Sequence, residues 1–123
     1  MGNLETTDGG PLPIDLEHLS QYTANDPEVT RDVLGLFGDQ VRAKLNALSA
    51  ADDLEAWRLE AHALKGTALG VGAGELAERA LAAEALGEFG AEDHDGIMVA
   101  LETAADRAIR YAQQLLEDGP FAG

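Results

Sequence analysis

The stretch Glu60-Ala61-His62-Ala63-Leu64-Lys65-Gly66-Thr67 carries the residues best suited to chemistry. A free imidazole titrates near about 6.5, so at neutral pH a ring nitrogen can attack without a Ser or Asp activating base. Lys65 follows His62 by three residues and Gly66 by four, spacings that share one face of a helix. Lys65 sets a flexible cation beside the ring, where it can hold an anion such as phosphate. Gly66 costs a helix about 1 kcal/mol relative to Ala. What it offers is access, because a missing side chain lets another surface come close. An imidazole flanked by a cation and bare backbone suits phosphoryl transfer, in which positioning and charge neutralisation dominate. The sequence holds no glycine-rich nucleotide loop, so the phosphoryl group is expected to arrive on another protein.

That chemistry requires His62 to face solvent, and the surrounding periodicity puts it there. Leu54, Trp57, Ala61, Leu64 and Ala68 recur at spacings of 3, 4, 3 and 4, the apolar stripe of a helix capped by Asp52 or Asp53. At about 100° per residue, His62 falls roughly 130° from the centre of that stripe. Trp57 and Phe37 lie on apolar stripes and read as core. Arg58, four residues before His62, reads as an ordinary surface cation that supports the site at most.

The other elements follow from the same pattern. Asp15 to Tyr22 predicts a short helix with Leu16 and Leu19 on one side. Asn25-Asp26-Pro27-Glu28 is a start signal, with Asp26 as cap and Pro27 at the first helical position. Val33, Leu34, Phe37, Val41, Leu45 and Leu48 carry that second helix to about Ser49. Gly70-Val71-Gly72-Ala73-Gly74 breaks the third, and Gly72 and Gly74 keep the corner small. A fourth helix runs from Glu75 to about Leu86 with Leu76, Ala80 and Ala83 inward. Gly87 to Asp95 is a turn region, and the last helix carries Ile97, Leu101, Ala104, Ala108, Tyr111 and Leu115. No strand pattern occurs. The expected fold is all-α: an up-down-up-down four-helix bundle over residues 14–118 with an additional short N-terminal helix as a lid, a flexible arm at 1–13 and a tail at 119–123.

Composition removes several function classes. With 123 residues the chain is long enough for one domain with its own core. Eight basic against 23 acidic side chains give a formal charge of −15, which disfavours nucleic-acid and anionic-membrane binding. The absence of cysteine excludes disulfide scaffolds, thiol catalysis and Cys-rich zinc sites. No apolar run reaches membrane-spanning length, the start carries no basic region followed by an apolar one, and a cytoplasmic location is expected. His18 and His94 read as incidental. Glu92-Asp93-His94-Asp95 has the look of a metal cluster, but helix-capping acids explain it better, so no metal and no intrinsic cofactor is expected.

His62-Ala63-Leu64-Lys65-Gly66-Thr67-Ala68, with Gly72 ten residues after His62, Leu76 fourteen after and Glu84 twenty-two after, resembles histidine-containing phosphotransfer (HPt) domains. The likeness runs from Ile14-Asp15-Leu16 through Asn25-Asp26-Pro27 and Phe37 to the last helix, and its specific part is the His-x-Leu-Lys-Gly core with the downstream Gly. The resemblance implies that His62 is the phosphorylated residue, that Lys65 helps hold the phosphoryl group, and that Gly66 and Gly72 keep the site open. It implies docking to the receiver domain of a response regulator, whose aspartate and magnesium supply most of the catalysis, and phosphate originating from a hybrid or sensor histidine kinase. A carboxylate at 84 would repel phosphate directly, so Glu84 is read as orienting His62 or a water.

The implied function is that of a phosphocarrier rather than an enzyme, working as a monomer. A non-catalytic helical adaptor that binds a receiver without being phosphorylated is the competing class, and an excised module of a larger kinase is a third. Receiver active sites are acidic, so a partner at −15 is repelled at long range. Docking is therefore expected on an apolar patch beside His62 formed by the short first helix and the start of the second, with Leu16, Leu19 and Leu69 as candidates. Only two lysines occur, Lys44 and Lys65, and the second falls beside the exposed histidine.

Overall fold

Three aspartates open three of the helices. Asp15 Oδ1 accepts from the backbone N–H groups of Glu17 (3.0 Å) and His18 (3.2 Å), and Asp26 Oδ1 from those of Glu28 (2.9 Å) and Val29 (3.2 Å). Asp53 Oδ1 accepts from the N–H of Ala56 at 2.8 Å, which settles the choice between Asp52 and Asp53. Each such cap satisfies donors that the first helical turn leaves unpaired and is worth about 1 kcal/mol.

The computed structural model describes residues 12–86 and 93–118. The helices are α1 (Leu16–Tyr22), α2 (Pro27–Ala50), α3 (Leu54–Val71), α4 (Gly74–Glu84) and α5 (Asp93–Asp118). The described residues contain no strand. The main boundary differences from the sequence expectation are that α4 runs from Gly74 to Glu84 rather than from Glu75 to about Leu86, and that α5 begins at Asp93, inside the expected turn. Most of the proposed arm, the middle of the α4–α5 connection and the tail lie outside the described residues.

Helices α2, α3, α4 and α5 form a closed ring in which each packs against two neighbours, α2 meeting α5. The short links α2–α3 and α3–α4 make consecutive helices antiparallel, the arrangement of an up-down-up-down bundle. Its core is built from Leu34, Phe37, Val41 and Leu48 of α2, Trp57, Ala61, Leu64 and Ala68 of α3, Leu76, Ala80 and Ala83 of α4, and Leu101, Ala104 and Ala108 of α5, all buried. Alanine at so many facing positions lets the axes approach closely. Ile97 and Tyr111, expected inside, are only partly buried at the margin.

Helix α1 closes one end by packing on α3. Ile14 and Leu19 are wholly buried there, and the hydroxyls of Thr23 and Thr30 share a hydrogen bond of 2.7 Å that ties the end of α1 to α2. Gly72 makes this possible. It caps α3 at φ 84°, its carbonyl accepts from the N–H of Asp15 at 2.8 Å, and a Cβ on it would lie 2.9 Å from the carbonyl oxygen of Asp15. The small corner expected at Gly72 is therefore real, but its purpose is to seat α1. Ten residues of helix put it about 15 Å from His62, too far to keep that site open.

Gly72→Ala is expected to destabilise the fold by about 2–3 kcal/mol, combining left-handed backbone strain with overlap against Asp15. At Gly66 a Cβ meets nothing within 4 Å. The same exchange there raises stability by up to about 1 kcal/mol. Urea unfolding of the two variants checks both signs.

Candidate functional site

Helix α3 is buried along Trp57, Ala61, Leu64 and Ala68, so the opposite face, with His62, Lys65, Gly66 and Leu69, is turned outward. The His62 side chain is 64% exposed. One turn further on, Gly66 leaves the backbone bare, and among the described residues nothing lies within 4 Å of where its Cβ would be. Crowding within the bundle therefore does not account for this glycine.

The partner of His62 comes from the neighbouring helix. Glu84, the last residue of α4, places Oε2 at 2.8 Å from His62 Nδ1 and Oε1 at 2.8 Å from Lys65 Nζ. Oε1 is shut off from solvent, and the ammonium group is what compensates it. The hydrogen bond from Lys65 and then that from His62 hold the Glu84 carboxyl below its ordinary value of 4.5, so at neutral pH it is an anion. A carboxylate can only accept hydrogen bonds. Nδ1 of His62 must therefore carry the proton, and in the neutral ring the lone pair is left on Nε2. The contact thus selects the Nδ1–H tautomer of the neutral ring.

Of the two roles considered for Glu84, orienting the imidazole matches the contact seen. Its carboxylate lies against Nδ1, away from Nε2, where an incoming phosphoryl group would bond. Lys65 is engaged by Glu84, so the cation expected to meet an anion is held in reserve as one half of an ion pair. Arg58 is not a loose surface cation: its Nη2 donates to the carbonyl of Leu86 at 3.0 Å. Trp57 Nε1 donates to the carbonyl of Ala83 at 2.7 Å. His94 is likewise not incidental, since its ring lies against that of Trp57 with centroids 4.5 Å apart. Among the described residues no three His, Asp or Glu side chains are grouped to hold a metal ion.

The docking candidates divide. Leu69 is exposed two turns after His62 on the same side, Leu16 is half-buried, and Leu19 is fully buried. Leu19 is thus a core residue with no surface to offer. Sequence reasoning missed Tyr22, Leu36 and Leu59, all exposed. Tyr22, Val33, Leu36, Gln40, Gly66, Thr67, Gly70 and Val71 line an open groove of about 450 Å³, and none of them is charged. The signal existed: Val29, Val33, Leu36 and Gln40 recur at 4, 3 and 4, a second shoulder beside the core stripe of α2.

A family model described as the Hpt domain matches residues 32–118, which take in the site and the four bundle helices almost entirely. No curated protein and no solved structure matches the chain. No helix among the described residues is long and apolar enough to cross a membrane.

A group with a depressed folded pKa contributes stability above its unfolded value, lost as pH falls through the folded one. Glu84→Gln should therefore be less stable than the parent at pH 7. The gap should narrow as pH drops below 4.5 and vanish once the folded carboxyl is protonated. Urea midpoints for both proteins across this range provide the check; a gap that widens in acid contradicts the pairing.

Proposed function

The chain is a member of the Hpt domain family, whose members carry phosphoryl groups on histidine in two-component phosphorelays, and we propose that it accepts one on Nε2 of His62 from a receiver-domain aspartyl phosphate and passes it to another receiver. The observation that carries this reading is the occupied Nδ1: on a side chain that is largely exposed, Glu84 takes one ring nitrogen and leaves the lone pair of the other for attack. The Nε2 lone pair attacks phosphorus, the P–O bond to the donor aspartate breaks, and that carboxylate departs with the bonding electrons. Bond formation leaves the ring with a positive charge and its proton on Nδ1. The Glu84 carboxylate beside that proton stabilises the charge as it develops. Lys65, one turn away, exchanges part of its pairing with Glu84 for the new phosphoryl oxygens. Return to a receiver reverses these steps.

The partner supplies the rest. The receiver brings the aspartate and the magnesium, so this chain acts as a phosphocarrier rather than a self-sufficient enzyme, as a monomer in the cytoplasm, charged ultimately by a hybrid or sensor histidine kinase. Docking takes place on the uncharged groove that includes Gly66, with Tyr22 and Leu36 as its apolar contacts and the exposed Leu69 outside its lining. On a chain of formal charge −15, a groove whose lining residues carry no charge of their own lets an acidic receiver make apolar contact.

Mixing the protein with a phosphorylated receiver should label it with acid-labile, base-stable phosphate, and His62→Gln should abolish the label. Labelling of His62→Gln to the parent level refutes the assignment, and tight receiver binding with no label on the parent protein points to an adaptor. For docking, Leu36→Glu should weaken receiver binding by about tenfold or more. Raising ionic strength from about 0.05 to about 0.5 M should leave affinity unchanged or improve it; a steep loss with salt contradicts an apolar contact.

A further inference from the structure

Glu84 sits where a helix is least secure. As the last residue of α4 it precedes Ala85, and the helix closes on the N–H of Ala85 to the Leu81 carbonyl (3.0 Å) and of Leu86 to the Ala83 carbonyl (3.2 Å), with no further turn behind them. Ends of this kind fray. A carboxylate carried on a fraying turn would meet His62 only part of the time.

Two donors from α3 prevent this. Trp57 Nε1 binds the carbonyl of Ala83 at 2.7 Å, and Arg58 Nη2 binds the carbonyl of Leu86 at 3.0 Å. The anchored carbonyls stand immediately before Glu84 and two residues after it. Their donors stand five and four residues before His62 on the same helix. The helix that presents the imidazole thus also pins the backbone that orients it. The two donors differ in what else they do. Trp57 is wholly buried and belongs to the core. Arg58 borders the same open groove as His62 and Glu84, so it can be changed without hollowing the bundle. A guanidinium at a helix C-terminus is also favoured by the partial negative charge there.

We propose that Arg58 is a positioning residue for phosphoryl transfer: by holding the Leu86 carbonyl it fixes the end of α4 so that the Glu84 carboxylate keeps His62 with its proton on Nδ1 and its lone pair on Nε2. This rests on His62 being the phosphoryl acceptor. Arg58 touches neither the imidazole nor the phosphoryl group; it acts through Glu84.

The test uses the full chain. Long-range proton–nitrogen NMR correlations of the His62 ring at neutral pH report which nitrogen carries the proton, before any phosphoryl donor is added. The parent should show the Nδ1–H form. Arg58→Met, which keeps the aliphatic stem and loses the donors, should shift the ring toward Nε2–H and slow phosphoryl acceptance by about 3- to 10-fold, the range one hydrogen bond supports. Arg58→Lys, which retains a cation and a donor, should recover much of both. In a Glu84→Ala background Arg58→Met should add no further change, because the route through Glu84 is already cut. A tautomer ratio unaltered in Arg58→Met overturns the inference, including where unfolding shows lost stability, since Arg58 would then only cap α4. A full additional loss in the Glu84→Ala background overturns it equally. A parent protein that takes no phosphate on His62 defeats the proposed function instead, and the tautomer comparison still decides what Arg58 does.

Discussion

The oxygens of Glu84 are each 2.8 Å from a donor on the adjacent helix, one on Nδ1 of His62 and the other on the ammonium of Lys65. An exposed imidazole without such a contact rotates and exchanges tautomers freely, and its two nitrogens compete for any electrophile. The carboxylate removes that freedom with a single charge. It also keeps the site near neutrality, since the lysine cation is matched by the anion that orients the ring. Everything else about the bundle can be understood as the means of bringing α3 and α4 close enough, and in the correct register, for a glutamate to reach across.

Small side chains supply the closeness. Ala61 and Ala68 on α3 and Ala77, Ala80 and Ala83 on α4 are buried. Large residues fill the rest of the core, with Phe37 and Leu34 on α2, Trp57 and Leu64 on α3 and Leu76 on α4. Trp57 does two things: its ring fills the core, and its N–H satisfies a carbonyl in the last turn of α4, as a buried indole must. The functional face runs against the stabilising tendency of the helix. Gly66 gives up helix propensity with no packing reason in its own chain, and Leu59 and Leu69 stand exposed where polar residues would be better solvated. Departures of this kind, collected on one face beside one histidine, mark a surface shaped for another molecule.

Much of this was legible in the sequence because helices encode themselves locally. Apolar spacings of 3 and 4 located α2, α3 and the last helix, the aspartate caps located the starts of α2 and α3, and the same periodicity turned His62 outward. Errors arose wherever a one-dimensional pattern had to stand for a contact in space. Leu19 looked like a surface candidate because a short helix offers two leucines and no way to choose which one faces the bundle; burial under α1 took Leu19 into the core. Gly72 was tied to the open site by the family resemblance, whereas what it accommodates in the fold is the backbone of Asp15, 57 residues earlier. Leu36 was overlooked because it stands off the core stripe of α2, and only the position of Gly66 on α3 makes that shoulder the wall of a groove.

The sequence by itself determined that this chain is helical, that it is acidic, and that one histidine stands exposed with a lysine and a glycine on its face. Those properties follow from intervals of three and four residues, over which helix geometry is rigid. The tertiary structure decided which ring nitrogen Glu84 leaves free, what Lys65 pairs with, and what Arg58 binds. Each of these depends on a pairing 19 to 28 residues apart across two helices: Lys65 with Glu84, His62 with Glu84, and Arg58 with Leu86. The angle and register at which two helices cross are set by the shapes of the side chains packed between them, and no interval along the chain records that.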